Sequence, residues 1–470
     1  MKRLSIALLG GVLMLSCWPG RSAAVDFSDY DEYIVRSRPG TALVQSNLLA
    51  GLKGAQVTQL RSGADYYLIR APRGQQASLL SRLNRASSIM SYQPNYRYQA
   101  LFAPNDPSYP LQWNLPVVNA PAGWDVDSSL PLYGGDPSVI VAVVDTGVAY
   151  ENYGTFQAMP DFSGTAFVVG TDVINGDAHA NDDVGHGTHV AATIAQATNN
   201  LQAGAGIAFN STIMPIKVLD DSGVGTTLDI AAGIDFAREH GADVINLSLG
   251  GASDDPFLHL AIQAAANAGI TIVAAAGNQA SAGLFYPARY DEVISVAATG
   301  PANTLAPYSN YGPGLDLVAP GGDMTSNASH GILQMTCQTG APTAVPCTTD
   351  VSPTFAEIYY EGTSQATPHV SAAAALLIAA GVSPTNVRSV LIGSAHDLGP
   401  AGYDTSYGWG LLDISRALSV GLNDVVPPTG TVGIQASAAF TSSTIVDLQV
   451  SASDDQSTVV AMSFSNDGTT

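Results

Sequence analysis

Four short segments carry residue types that could do chemistry together. Asp145 ends an apolar run at 139–144, in Val143-Val144-Asp145-Thr146-Gly147. His186 stands in Gly185-His186-Gly187-Thr188-His189-Val190, and Asn278 closes Ala275-Ala276-Gly277-Asn278. Ser364 stands in Gly362-Thr363-Ser364-Gln365-Ala366-Thr367-Pro368-His369. A serine hydroxyl is a useful nucleophile at neutral pH only beside a base, and an imidazole base works best when a carboxylate orients it. Taken singly, each residue has a plainer use: Asp145 capping a turn, Ser364 capping the helix after it, Asn278 filling a turn. His186 and His189 could instead bind zinc, but no His-Glu-x-x-His is present and glycines flank the pair.

To meet in space these residues need a framework. Continuous apolar runs at 139–144, 213–218, 243–249, 270–276 and 293–298 alternate with helical stretches such as 227–239 and 256–268. Such runs belong to a parallel sheet buried on both faces, so the fold class is α/β, a doubly wound sheet over 103–424. A carboxylate at the carboxyl end of such a strand sits where these sheets place ligands. Helical runs at 190–196 and 370–380 follow His186 and Ser364. The unpaired N–H groups at the second helix's amino end favour an oxyanion.

Ahead of that body, strands at 33–36 and 66–71, an extended stretch at 90–98 and helices at 47–53 and 78–85 predict a small α+β unit over 25–102. Ala103-Pro104-Asn105-Asp106-Pro107 breaks regular structure at its end. After Val425-Val426-Pro427-Pro428, β-type alternation at 432–435, 445–452 and 459–464 predicts part of an all-β immunoglobulin-like module over 425–470.

In combination, the motifs around Asp145, His186 and Ser364 resemble those of the subtilisin-like serine proteases, in the same chain order. Asn105-Asp106-Pro107 and Val218-Leu219-Asp220 resemble the thermitase-like group in particular, and the resemblance spans about 110–420. It implies a secreted endopeptidase that hydrolyses protein or peptide substrates through an acyl-enzyme on Ser364. His186 would be the general base and acid, Asp145 its orienting carboxylate, and Asn278 with the Ser364 N–H the oxyanion hole. Ser248, Leu249 and Gly250 would pair with the substrate backbone, and Ala275 and Gly277 would line the primary specificity pocket. Phe285, just before Tyr286-Pro287, falls where the family often has a small residue; its ring either enters the pocket or swings away. Residue 365 is Gln where many members carry Met.

The resemblance also implies a structural Ca2+ ion at Asp106, Asp161 and the 197–204 loop, with Ala197, Asn200, Gln202 and Gly204. A second acidic stretch, with Asp172, Asn175 and Asp177, has a calcium-loop look without a full EF-hand pattern, and reads equally as a solvated loop. Residues 25–102 resemble the family's intramolecular inhibitor, its tail near 96–101 expected along the active site.

Composition fits a globular chain: 46% hydrophobic and 12% charged. Met1-Lys2-Arg3, the mostly apolar 4–18 and Ser22-Ala23-Ala24 read as a signal peptide cleaved after Ala24, hence export. The run is short of the ~20 residues that span a bilayer, and Met14-Leu15-Ser16-Cys17 is a poor match for lipidation at Cys17. Removing it leaves Cys337 and Cys347, an even pair in an exported chain, expected to form a disulfide rather than two free thiols. Residues 25–102 hold nine Lys/Arg against five Asp/Glu, whereas residues from 103 onward hold five against 34. So acidic a body argues against nucleic acid and suits divalent cations, while the opposite signs suit an inhibitor and its enzyme. No other apolar run is long enough to span, and a monomer is expected. Two rivals fare worse. A dinucleotide binder would need Gly-x-Gly-x-x-Gly after 139–144, and a silent fold serving adhesion would not need all four chemical residues.

Overall fold

The computed structural model describes residues 30–38, 52–60, 65–72, 75–95, 102–126, 134–337, 347, 354–423, 429–434 and 448–453. The expected signal peptide with Cys17, most of the 47–53 helix, the 96–101 tail and the 459–464 strand lie outside them. The chain divides into two compact units, residues 1–100 and 101–470.

In the first unit, β1 (Tyr30–Ser37), β2 (Gln56–Gln59), β3 (Tyr66–Pro72) and β4 (Ile89–Pro94) form an antiparallel sheet in the order β2-β3-β1-β4. Alternate residues Tyr33, Val35, Tyr67, Ile69 and Ala71 turn one face inward, onto Leu79 and Leu83 of α1 (Gln76–Arg85). The sequence reading missed β2, an edge strand with one apolar residue and mostly exposed side chains.

The second unit begins with two short helices, α2 (Asn114–Val117) and α3 (Ala120–Trp124). It is organised by β5 (Ile140–Asp145), β6 (Ala166–Phe167), β7 (Thr171–Asp172), β8 (Thr212–Lys217), β9 (Val244–Leu247), β10 (Thr271–Ala275), β11 (Val293–Thr299) and β12 (Leu317–Pro320). All pair in parallel, in the order β12-β11-β10-β9-β5-β8-β6, with β7 also on β8. Both faces are covered. Along β5, Val141 and Val143 join a core with α4 (His186–Ala195) and α7 (Thr363–Ala379). Ala142 and Val144 face α5 (Thr227–Glu239) and α6 (Pro256–Asn267) on the other side. An apolar run with no polar alternation is what a strand between two helical layers requires.

An antiparallel pair, β13 (Ile332–Cys337) and β14 (Phe355–Tyr360), follows, then α8 (Pro384–Ser394) and α9 (Ile414–Asn423). Two further antiparallel strands, β15 (Thr429–Ile434) and β16 (Leu448–Ser453), lie within the β-rich tail. Because β5 is flanked by β8 on one side and β9 on the other, strand order diverges at β5 and opens a crevice at its carboxyl end. Asp145 is the last residue of β5.

Candidate active site

Helix α4 starts at His186 itself, earlier than the 190 expected, because two glycines let it come close to β5. Gly185, at φ +93°, is the N-cap, a left-handed conformation that suits glycine. A Cβ on Gly187 would run into the Gly147 carbonyl and lie 3.1 Å from Asp145 Cβ. That approach brings His186 Nδ1 to 2.6 Å from Asp145 Oδ1. The same oxygen accepts the Thr146 N–H at 2.7 Å, and Asp145 is fully buried. Since a carboxylate accepts, Nδ1 carries the proton and Nε2 is left as an acceptor. Burial opposes charge on His186, but the charge of Asp145 and its hydrogen bond, with help from Asp182, outweigh it and raise the imidazole pKa.

Sequence reasoning missed the support beneath this pair. Asp182 Oδ1 accepts from Thr146 Oγ1 (2.9 Å), Val184 N (2.9 Å) and Gly185 N (2.8 Å). Its Oδ2 accepts from Thr188 N (2.8 Å) and Thr188 Oγ1 (2.6 Å), so one buried carboxylate ties the strand end to the helix start. Lys217, 1% exposed, donates to the Thr146 and Leu219 carbonyls and to Asp183 Oδ1 at 2.7 Å. The signals were present: an Asp just ahead of a helix start, and a Lys ending an apolar strand.

Ser364 is the second residue of α7, whose N-cap is Gly362, so it is not the cap itself. Its Oγ donates to the Ser248 carbonyl at 3.0 Å, and no hydrogen bond joins it to His186 among the described residues. Asn278 Oδ1 accepts from Thr363 N and Thr363 Oγ1, each at 2.8 Å, which fixes the amide so that Nδ2 points elsewhere. A Cβ on Gly362, at φ +156°, would lie 3.4 Å from Asn278 Nδ2 and 3.6 Å from Ser364 N. Two N–H donors thus border one small space beside Gly362, with Gln365 Oε1 nearer still, 2.8 Å from the same Cβ position.

Strand β9 stops at Leu247, so Ser248, Leu249 and Gly250 follow its end, and Gly251 exchanges two 2.8 Å backbone bonds with Tyr286. Ala275 ends β10, and Gly277 (φ +109°) donates its N–H to Thr363 Oγ1 at 3.2 Å. Phe285, half-buried, donates its N–H to the Ala276 carbonyl at 2.9 Å. It belongs to none of the apolar cores of the described residues.

Away from this crevice, the buried Asp106 and Asp161 carboxylates meet the 197–204 loop. Asp106 accepts from Asn199 N (2.7 Å) and Asn200 N (3.1 Å). Asp161 accepts from Asn200 Nδ2 and Gln196 Nε2, each at 2.7 Å, and its carbonyl accepts from Ala197 N at 2.9 Å. Gln202 N donates to Asn200 Oδ1, and the Gly204 carbonyl accepts from Gln196 Nε2. Neither carboxylate has a basic partner among the described residues. Burial pushes the Asp161 pKa up to about 7; hydrogen bonds from Asn200 and Gln196 oppose it, and Asp106 and Glu357 add repulsion. In the second acidic stretch each carboxylate closes its own turn: Asp172 accepts from Asn175 N and Nδ2, Asp177 from His179 N. Cys337 and Cys347 are joined as a disulfide, fully buried, and Gly185 packs against Cys337.

Comparison with known proteins agrees with this geometry. Residues 136–410 match the model of the subtilase family. The thermophilic serine proteinase of Bacillus sp. strain AK1 is 35% identical over 71% of this chain and 74% of its own. Thermitase of Thermoactinomyces vulgaris is 34% identical over 64% of this chain and 94% of its own. Among solved structures, a protease from Pseudoalteromonas arctica PAMC 21717 superposes with a TM-score of 0.59 at 31% identity, covering 68% of this chain and 100% of that one. With an Asp and a His in contact at the carboxyl end of a parallel sheet, and a Ser at the amino turn of the following long helix, the chain belongs to the subtilase family of subtilisin-type serine peptidases.

Proposed function

We propose that the chain is a secreted endopeptidase working through Ser364, and the observation that carries this is the 2.6 Å contact between Asp145 and His186. With Nδ1 held by Asp145, His186 Nε2 takes the Ser364 proton as Oγ leaves the Ser248 carbonyl and bonds to the substrate's peptide carbon. The carbonyl oxygen becomes an oxyanion, received by Asn278 Nδ2 and the Ser364 N–H beside Gly362. Collapse expels the amine, which takes the proton from His186 and leaves an acyl-enzyme. Water, deprotonated by the same nitrogen, then releases the acid and restores Ser364. Ser248, Leu249 and Gly250 pair with the substrate backbone as an added strand, and Ala275 and Gly277 line the pocket for the side chain before the scissile bond.

A calcium ion fits Asp106 and Asp161, two buried carboxylates that repel each other with no basic residue to compensate among the described residues. Asn200 and the carbonyls of Ala197, Gln202 and Gly204 would complete an all-oxygen set; the ion supplies the missing positive charge. Residues 1–24 direct export, and residues 25–102, with the opposite charge balance to the body, act as its inhibitor before removal. The mature enzyme works as a monomer, followed by part of an immunoglobulin-like module. Casein digestion by wild type and Ser364→Ala, with fluorophosphonate labelling, tests the central reading: only the wild type should digest and label. Labelling without Ser364, or an inactive wild type, rejects it.

A further inference from the structure

On that reading, the structure assigns Phe285 as the residue that sets the depth of the pocket beside Ser364, and so the substrate class: chains with small or medium apolar side chains before the scissile bond. Two backbone segments run beside the serine. The first, 248–250, is tied to it through the bond from Ser364 Oγ to the Ser248 carbonyl. The second, 275–277, is tied to the adjacent Thr363 through Gly277 N–H. A peptide carbonyl over Ser364 Oγ therefore sends its preceding side chain between them. Both walls have a glycine there, Gly250 and Gly277, so neither wall adds a side chain of its own.

Phe285 packs against both glycines. A Cβ on Gly277 would run into Asn310 Nδ2 and lie 2.9 Å from Phe285 Cγ and 3.0 Å from Cδ2, so the ring, beside the buried Asn310 amide, rests on the bare α-carbon of one wall. A Cβ on Gly250 would lie 2.9 Å from the Tyr286 carbonyl and 3.3 Å from Phe285 Cβ, so the stem of the side chain rests beside the other. The backbone holds it there from both sides. Phe285 N–H bonds the Ala276 carbonyl, and its neighbour Tyr286 exchanges two bonds with Gly251. Because the ring is half-buried and joins no apolar core of the described residues, it packs between the walls rather than serving the interior. A large aromatic side chain entering the same gap meets a ring already in place.

The test is kcat/KM on peptide anilides ending in Ala, Leu and Phe, using the mature enzyme as wild type, Phe285→Gly and Phe285→Ala. Wild type should cleave the better of Ala and Leu at least about tenfold faster than Phe, the discrimination a methylene or two of missing room provides. Either variant should raise the ratio of Phe to Ala cleavage by about tenfold or more; the alanine variant covers the case in which glycine does not fold. Phe cleaved best by wild type, or a ratio unmoved in both variants, overturns the assignment. Failure of the underlying reading looks different and sinks both: no anilide is cleaved and Ser364 takes up no fluorophosphonate.

Discussion

Ser248 and Ser364 hydrogen-bond each other twice, the Ser364 Oγ to the Ser248 carbonyl at 3.0 Å and the Ser248 Oγ to the Ser364 carbonyl at 2.8 Å. The second bond has a cause four residues on. Pro368 lies inside α7 and has no N–H, so the Ser364 carbonyl lacks its helical donor and is free for Ser248. Ser248→Ala should therefore cost about 1 kcal/mol of stability and about tenfold in kcat/KM. Pro368→Ala, by returning an N–H to that carbonyl, should recover part of the loss in the double variant. Thermal melts and anilide kinetics on the four proteins check this; a Ser248→Ala enzyme unchanged in both contradicts it.

The raised pKa of His186 fixes the direction of the pH response. The proposed mechanism needs the neutral imidazole, so kcat/KM should climb as pH rises through a value above the ordinary 6.5. Asp145→Asn removes the charge and hydrogen bond that hold the proton, so the acidic limb should move to lower pH while kcat falls about 10⁴-fold. The stability that Asp145 lends the imidazolium is full below 6.5 and fades as pH passes the raised folded value. A limb that moves upward in Asp145→Asn, read from kcat/KM against pH, would contradict the assignment.

Calcium removal should lower the melting temperature, because an ion bound by the folded state alone stabilises it by about 4 kcal/mol at a thousandfold excess over Kd. Asp161→Asn should show a smaller response to calcium. Melts in chelator and in added calcium decide it, and a wild type indifferent to both refutes the site.

The disulfide supports the start of the histidine helix. Cys337 packs against Gly185, and Thr336 Oγ1 donates to the Gly185 carbonyl at 2.5 Å. Replacing both cysteines by Ala should cost about 2–4 kcal/mol, and should lower kcat more than it raises KM, since it disturbs His186 rather than the peptide-pairing segment. A rise confined to KM would show the reverse.

Peroxide should leave activity largely intact. Gln365, 2% exposed, follows the serine and has no sulfur to oxidise. Gln365→Met should lose turnover within the same exposure, while rapid loss in wild type without other oxidised residues would refute this.

Much of this molecule is legible in its sequence where the physics is local. Helix α5 falls at 227–239 as expected, since its start carries a capping box between Thr226 and Asp229. Five strands of the parallel sheet, β5 and β8 to β11, fall within a residue or two of their apolar runs, since burial on both faces leaves a continuous signal, whereas β6, β7, β12, β13 and β14 were not read from the sequence. Helices α4 and α7 begin four and seven residues before their expected starts. Glycines at 185 and 187 and the proline at 368 read as breakers, although close approach to β5 and a free carbonyl are the reasons they are there. Strand order was not legible, because long-range pairing leaves no period in a sequence; Asp182 and Lys217 left only single-residue signals, an Asp ahead of a helix and a Lys ending an apolar strand, which say nothing of their partners.

Lys217 is the only lysine after Lys53, and its Nζ is buried among the Thr146 and Leu219 carbonyls and Asp183. A polypeptide of residues 103–470 would therefore present a single reactive amine to solvent, its own amino terminus. An activated-ester support or dye should couple there alone, giving every immobilised molecule the same orientation.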